Sequence, residues 1–311
     1  MNPIGNNHLS PAALPGRLLL ASVRGFCGGV RRALDIVDRL LAAEPGRPLC
    51  VYHEIVHNNF VVKQLEKRGV RFVHSLAEVP DGARLVWSAH GVEPALESAA
   101  QKRGLAVVDA TCPLVKKLHH LAAEHSRRGD FVIFIGHAGH PETVGVLGCG
   151  NLRLVTCEAD VAALPAVPDG VPVTVLTQTT LSGPEAEILI AGLRKRFPEL
   201  RAVSGICYAT RERQQAVREL AARNIDVLLV IGSPKSSNSS RLCEVARACG
   251  VSARLVDDPE ELRTLALPPG GRIGLTAGAS APEILVERAV AILLERNFLP
   301  AQRPEQPTQQ G

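Results

Sequence analysis

Short apolar runs alternate with longer amphipathic segments along most of the chain. Residues 84–87, 131–135 and 227–231 are rich in β-branched residues, as is typical of strands buried on both faces. Residues 115–127 and 210–223 carry apolar side chains three and four positions apart, which predicts helices. The alternation favours an α/β fold with mostly parallel sheets.

Three of the eight cysteines stand in similar surroundings. Cys27 lies in RGFCGGVRRAL, Cys112 in DATCPLVKKL and Cys207 in SGICYATRERQ. Each cysteine precedes a predicted helix with basic residues in its first turns, and two polar loops follow it at similar spacings. The first loop contains His57, His140 or Asn238, and the second contains His90, Thr179 or Ser280.

This spacing predicts three similar small α/β domains, at residues 17–111, 112–206 and 207–298. The flanking segments 1–16 and 299–311 are expected to be disordered, the second because it is rich in Pro and Gln. Ligands of open parallel sheets bind beyond the carboxyl ends of the strands, where all of these cysteines and loops lie. Packing about a pseudo-threefold axis would bring them together; the alternative is three unrelated domains.

Three converging thiols so far apart in sequence suit two kinds of metal centre. They could bind zinc together with a histidine, or hold an iron–sulfur cluster in which one iron has no protein thiolate. An open iron can act as a Lewis acid, and the cluster can transfer electrons. Gly28 and Gly29 would let the backbone approach such a bulky group.

The polar loops describe a second ligand. Convergent neutral or cationic hydrogen-bond donors suit a phosphate or diphosphate. Glu142 follows His140 and Pro141, and we assign it proton donation. The candidate donors are His57, His90, His140, Ser236, Ser237, Asn238 and Ser280.

A competing motif is HEIVH at residues 53–57, which matches the H-E-x-x-H pattern of zinc peptidases. That pattern requires both histidines on one face of a helix. Here it directly follows an apolar run, so His53 is expected to end a strand.

The amino-acid composition argues against some classes of binding partner. The net charge of the 311 residues is +4, too small to indicate nucleic acid, and aromatic residues make up only 3%. The sequence has no run of eighteen apolar residues and no secretory signal pattern. We therefore expect no membrane association, and a reducing cytoplasm in which the cysteines are free thiols.

The motifs RGFCGGV, HEIVHN, SAHGV, DATCPLV, GHAGHPE, TQTTLS, ICYAT, SSNS and TAGASAP, in this order between residues 18 and 294, closely resemble the LytB/IspH family of 4-hydroxy-3-methylbut-2-enyl diphosphate reductases. The resemblance implies the last step of the non-mevalonate isoprenoid pathway. In that step the substrate loses its hydroxyl as water and becomes isopentenyl or dimethylallyl diphosphate. It also implies a [4Fe-4S] cluster at the centre of three α/β domains, with the substrate hydroxyl bound to the open iron.

The resemblance also assigns roles to residues of this chain. Cys27, Cys112 and Cys207 would be the cluster ligands, and Thr179 would contact the substrate hydroxyl and relay a proton from Glu142. Electrons would come from ferredoxin or flavodoxin, and the chain would be a monomer or homodimer. The diphosphate would be bound by His57, His90, His140, Ser236, Ser237, Asn238 and Ser280.

Two functions from other classes fit three cysteines with an open iron. A non-redox hydratase would need no electron donor. A redox or iron sensor would need an output surface, and nothing in the sequence is basic and helical enough for DNA.

Overall fold

The computed structural model describes residues 15–301 and contains thirteen strands and ten α-helices in that range. The strands are β1 (Gly16–Leu20), β2 (Leu49–Tyr52), β3 (Val70–Val73), β4 (Arg84–Trp87), β5 (Ala106–Asp109), β6 (Phe131–Ile135), β7 (Leu152–Val155), β8 (Val173–Thr177), β9 (Arg201–Val203), β10 (Val227–Ile231), β11 (Ser252–Val256), β12 (Arg272–Ala277) and β13 (Phe298–Pro300).

The α-helices surround these strands, and two short 3₁₀ helices lie at Leu76–Glu78 and Pro259–Arg263. The α-helices are α1 (Gly28–Ala43), α2 (Asn59–Lys67), α3 (Pro94–Lys102), α4 (Pro113–Arg127), α5 (Pro141–Leu147), α6 (Glu158–Ala163), α7 (Gly183–Arg196), α8 (Tyr208–Ala221), α9 (Ser237–Ala248) and α10 (Glu283–Glu295).

The strands form three sheets, and every strand pairing within the described range is parallel. The strand orders are β3-β2-β4-β5, β7-β6-β8-β9 and β11-β10-β12-β1-β13. The first four positions follow one plan in all three sheets. Central strands such as β10 are buried at every position, as expected for sheets covered by helices on both faces. The predicted fold of three parallel-sheet α/β units is thus confirmed.

The fourth strand of the third sheet is β1, which comes from the start of the chain. β1 pairs with β12 and β13, whereas the expected first domain began at residue 17 and would have included it. The pattern of apolar residues shows that a strand is buried but not which sheet it joins. β1 also begins at Gly16 and β13 ends at Pro300, so both extend into segments expected to be disordered; the remainder of those segments, 1–14 and 302–311, lies outside the described residues.

Because β1 belongs to the third sheet, the three units form a closed ring. The fourth strand of each sheet is followed by one of the three cysteines and then by a helix that packs on the next sheet. β1 leads through Cys27 to α1, which packs on the first sheet, while β5 and Cys112 lead to α4 on the second. β9 and Cys207 lead to α8, which packs on the third sheet. Each of the three cysteines therefore lies at a junction between two units.

Candidate functional site

One central cavity receives all of the cysteines and polar loops singled out from the sequence. It lies beyond the carboxyl ends of strands from all three sheets, where ligands of parallel sheets bind. The predicted residues that line it are Cys27, His57, His90, Cys112, His140, Glu142, Thr179, Cys207, Ser236, Ser237, Asn238 and Ser280.

The three cysteines are the N-cap residues of α1, α4 and α8. The sulfur of Cys27 accepts a hydrogen bond from the backbone of Val30, and that of Cys207 accepts one from Thr210. Burial raises the pKa of Cys112 and of Cys207, and repulsion between the thiolates raises both further. The positive end of each helix, together with metal ions bound to the sulfurs, would favour the deprotonated form.

Gly29 shows how closely the junctions approach. A Cβ atom at this position would lie 2.7 Å from the Cys112 sulfur and 3.9 Å from the Cys27 sulfur. Both sulfurs therefore lie within 4 Å of one point beside the first turn of α1. The glycine is needed because a side chain would occupy the space between the two thiols.

The donor set fits a cluster better than a single ion. In residues 15–301, no three His, Cys, Asp or Glu side chains are grouped so that they could hold one metal ion. A zinc ion would draw its thiolates to about 2.3 Å from one centre. An iron–sulfur cluster binds one thiolate per iron and so accommodates three sulfurs further apart.

A buried arginine supplies a second observation that favours an anionic group near the cysteines. Arg213 of α8 is 3% exposed and donates hydrogen bonds to the carbonyl oxygens of Gly25 (2.6 Å) and Ala209 (2.9 Å). Its buried Nε has no partner, and within the described range its guanidinium forms no ion pair with a carboxylate. Burial lowers the pKa of Arg213, while the neighbouring thiols of Cys27 and Cys207 raise it. Buried charges are normally paired, so these thiolates and what they hold are its natural partners.

Three histidine rings pack together in the wall of the same cavity. The centroids of His57 and His90 lie 4.0 Å apart in a stacked arrangement, and that of His140 lies 5.2 Å from His57 and 5.7 Å from His90. Burial holds the pKa of His90 well below its usual value and lowers that of His140 to about 3. Nδ1 of His140 accepts the backbone N–H of Glu142, so the proton of this neutral ring is on Nε2, where it can be donated.

The N-terminus of α9 faces the same cavity. Ser236 is its N-cap, and Ser237 and Asn238 form its first turn. Oδ1 of Asn238 accepts the backbone N–H of Ala279, which leaves Nδ2 buried without a partner. Nε2 of His57 is also buried and unpartnered. Unsatisfied buried groups are costly, so these two atoms indicate a polar ligand, and the helix N-terminus favours an anion.

Glu142 and Thr179 form a closed pair deep in the cavity. Both carboxylate oxygens accept hydrogen bonds from Thr179, one from its backbone N–H and one from its hydroxyl, each at 2.7 Å. Glu142 is 2% exposed, and burial raises its pKa to about 7. The carboxyl group can therefore carry a proton near neutral pH and lies in contact with a hydroxyl that could pass it on.

The HEIVH motif does not form a helix. Residues 53–57 follow β2, and His53 has a left-handed backbone conformation with φ 56°. Of its two histidines, only His57 lines the central cavity, while His53 lies beside His74. The two histidines do not share a helix face, in agreement with the expectation that His53 ends a strand.

Sequence reasoning missed several residues around the site. The Thr180 hydroxyl donates to the Ser237 hydroxyl at 3.0 Å, which links the second unit to the third. Glu54 contacts Nδ1 of His57 and also pairs with Lys235 of the third unit. Thr180 stands in the quoted TQTTLS motif and Glu54 in HEIVH, so both could have been considered. The site role of Arg213 has no signal in the sequence, since it is one of many charged residues in α8.

The fold and site together define a class: a protein of three parallel-sheet units whose junctions bring three thiols beside a buried pocket for an anionic ligand. The chain belongs to the LytB family, because the family model described as LytB protein matches residues 18–294.

Similar proteins agree with this assignment. Relatives from Salmonella typhimurium (strain LT2) and Salmonella newport (strain SL254), each named 4-hydroxy-3-methylbut-2-enyl diphosphate reductase, are 48% identical over 286 residues and 90% of either chain. The solved structure of E-1-hydroxy-2-methyl-but-2-enyl-4-diphosphate reductase from Plasmodium falciparum is 32% identical, with a TM-score of 0.84 and 95% of both chains covered. Another, described as the terminal enzyme of the non-mevalonate pathway, is 30% identical with a TM-score of 0.65, covering 90% of this chain and 99% of that one.

Proposed function

We propose that this chain reduces (E)-4-hydroxy-3-methylbut-2-enyl diphosphate to isopentenyl and dimethylallyl diphosphate, the last step of the non-mevalonate pathway. Two electrons and two protons remove the allylic hydroxyl as water. The observation that carries the proposal is that the three cysteines, the histidine cluster, the α9 N-terminus and the Glu142–Thr179 pair line one cavity. Relatives that cover 90% of the chain bear the name of this reductase.

The cluster would be a [4Fe-4S] group held by Cys27, Cys112 and Cys207. The observations in support are the convergence of the sulfurs beside Gly29 and the unpaired charge of Arg213. When bound, the cluster supplies electrons and an iron without a protein ligand that acts as a Lewis acid. The three helix N-termini and Arg213 favour its negative charge.

The diphosphate would be bound by the histidine rings and the N-terminus of α9. Asn238 Nδ2 and His57 Nε2 would gain the hydrogen-bond partners that they lack. Anchoring the diphosphate holds the alcohol end of the substrate toward the cysteines and reduces the orientational entropy lost in the reaction. The residues proposed to bind it are His57, His90, His140, Ser236, Ser237, Asn238 and Ser280.

Proton delivery would run from Glu142 through Thr179. The Thr179 hydroxyl lies 2.7 Å from the carboxyl group, and the carboxyl is excluded from bulk water. A carboxyl group with a pKa of about 7 can both hold and release a proton at neutral pH. Thr179 would contact the departing hydroxyl and relay this proton to it.

The two electrons would come one at a time from a small redox protein such as ferredoxin or flavodoxin.

All eight cysteines are free, which suits a reducing cytoplasm. Among residues 15–301, no helix is long and apolar enough to cross a membrane.

Anaerobic turnover tests the proposal. Protein reconstituted with iron and sulfide is incubated with the allylic diphosphate and dithionite-reduced methyl viologen, and the products are identified by mass spectrometry. We expect both diphosphate products and oxidation of the viologen in proportion. A hydrated product formed without reductant would instead establish the hydratase. No conversion by protein that carries the full cluster would refute the reductase.

A further inference from the structure

Cys207 lines the central cavity and also a groove on the outside of the molecule. The outer groove is formed by Leu114 and Lys117 of α4, Ile206, and Tyr208 and Arg211 of α8. Tyr208 is 52% exposed although it directly follows a proposed cluster ligand. Cys207 therefore borders both the central cavity and the outer groove.

The outer groove carries exposed cations from two of the three cysteine helices, α4 and α8. These cations are Lys117 and Arg211. In the part of the chain that the structure describes, neither Lys117 nor Arg211 forms an ion pair with a carboxylate. The nearby Lys116 is paired with Asp109, and Glu212 is the acidic neighbour on α8.

We propose that the outer groove is the docking site for an acidic electron-carrier protein. The inference rests on the proposed function, which requires electrons from outside while the central cavity holds the substrate. An apolar centre formed by Leu114 and Tyr208, with a basic rim, is the arrangement of small transient interfaces that are steered by charge. A protein docked here approaches the cluster through Cys207 without entering the substrate site.

The cations of the groove would increase the rate at which the electron carrier associates with this protein. Complementary charges increase association rates by one to three orders of magnitude, and salt suppresses the effect. The partner is therefore a protein with acidic groups around its redox centre. A membrane or nucleic acid would be an alternative occupant of a basic surface.

The test compares two reductants of the same reconstituted enzyme. Lys117→Glu/Arg211→Glu reverses the charge of the groove, and Arg153→Glu/Arg254→Glu, on the exposed edge strands β7 and β11, is the matched control. Stopped-flow absorbance gives the second-order rate of cluster reduction by a reduced acidic flavodoxin at low salt. Steady-state turnover with reduced methyl viologen reports the chemistry independently of docking.

The groove variant should lose at least about tenfold in the flavodoxin rate at low salt, with a smaller difference at high salt. Its viologen-driven turnover and the flavodoxin rate of the control should match the unmodified protein. Lys117→Gln/Arg211→Gln should show a smaller loss in the same direction. An unchanged flavodoxin rate in the reversal variant, an equal loss in the control, or cation-dependent binding of anionic vesicles or RNA without an effect on flavodoxin would overturn the docking site. Failure of viologen-driven turnover in the unmodified protein would refute the function instead.

Discussion

At the scale of single residues, burial determines what the acidic and basic groups of the cavity can do. Glu142 is held away from water and its pKa is raised to about 7, whereas burial keeps His90 and His140 neutral. This difference in pKa favours the Glu142 carboxyl group as proton donor and the two histidines as neutral hydrogen-bond donors. Sequence position suggested both assignments, and the packing adds the physical reason for proposing Glu142 as the proton donor.

Glu142→Gln keeps the shape and can still accept the backbone N–H of Thr179, but its amide nitrogen cannot accept the Thr179 hydroxyl and the side chain cannot release a proton. We expect the viologen-driven turnover number to fall by about 10² or more, because this is the usual contribution of a positioned acid. Iron content and diphosphate affinity should be unchanged. Near-normal turnover in this variant would place proton donation on another group.

The same carboxyl group predicts the pH dependence of turnover. Its pKa is raised, so the protonated form is present below about pH 7 and is lost as the pH rises through that value. Turnover of the unmodified enzyme should decline above pH 7, and this decline should be absent from the residual activity of Glu142→Gln. An identical decline in both proteins would exclude Glu142 as its source.

Arg213 is the other residue whose surroundings define a role. Arg213→Met removes the buried charge, whereas Arg213→Lys retains it. We expect the Met variant to bind less iron and to shift the cluster's reduction potential to more negative values, by about 59 mV for each tenfold change in the one-electron equilibrium. Lys should restore most of the potential. Equal potentials in all three proteins would show that Arg213 only supports the Gly25 loop.

At the scale of elements, most of the helices and strands follow from the apolar pattern. The predicted strand 131–135 is β6, and the helix predicted from 115 begins two residues earlier at Pro113, because proline is favoured in the first helical turn. The close approach of α1 to α4 could not be predicted. It depends on a contact between residues more than eighty positions apart, for which the local sequence offers only two glycines.

This contact gives a prediction for the first turn of α1. Gly29→Ala would place a Cβ atom 2.7 Å from the Cys112 sulfur, so cluster binding should be lost or strongly reduced. Alanine favours a helix by about 1 kcal/mol over glycine, which offsets part of the strain of this contact, so the apoprotein should still fold, as checked by circular dichroism. Gly28→Ala is the matched control, since its nearest neighbour is the Tyr208 hydroxyl at 3.1 Å, at the end of an exposed side chain. Normal iron content in Gly29→Ala would contradict the proposed position of the cluster.

At the scale of the whole molecule, the threefold repeat in the sequence indicated that distant cysteines would meet. The arrangement of the ring was not predictable, because β1 reads as the first strand of the first unit and instead completes the third sheet. Neighbouring strands in sequence usually pair, and this rule fails where the chain closes on itself. The closure places each cysteine between two sheets, so the thiols meet only when all three units are assembled.

The central claim is that Cys27, Cys112 and Cys207 together hold one iron–sulfur cluster, and the other five cysteines of the same chain provide the control. The measurement is anaerobic iron and sulfide analysis with Mössbauer spectra after reconstitution, on single Cys→Ser variants. The unmodified protein and the variants of the exposed Cys157 and Cys249 should each contain about four irons and four sulfides per chain. Serine at any of the three cavity positions should lower this content sharply and change the spectrum. Full iron content and an unaltered spectrum in all three cavity variants would contradict the account.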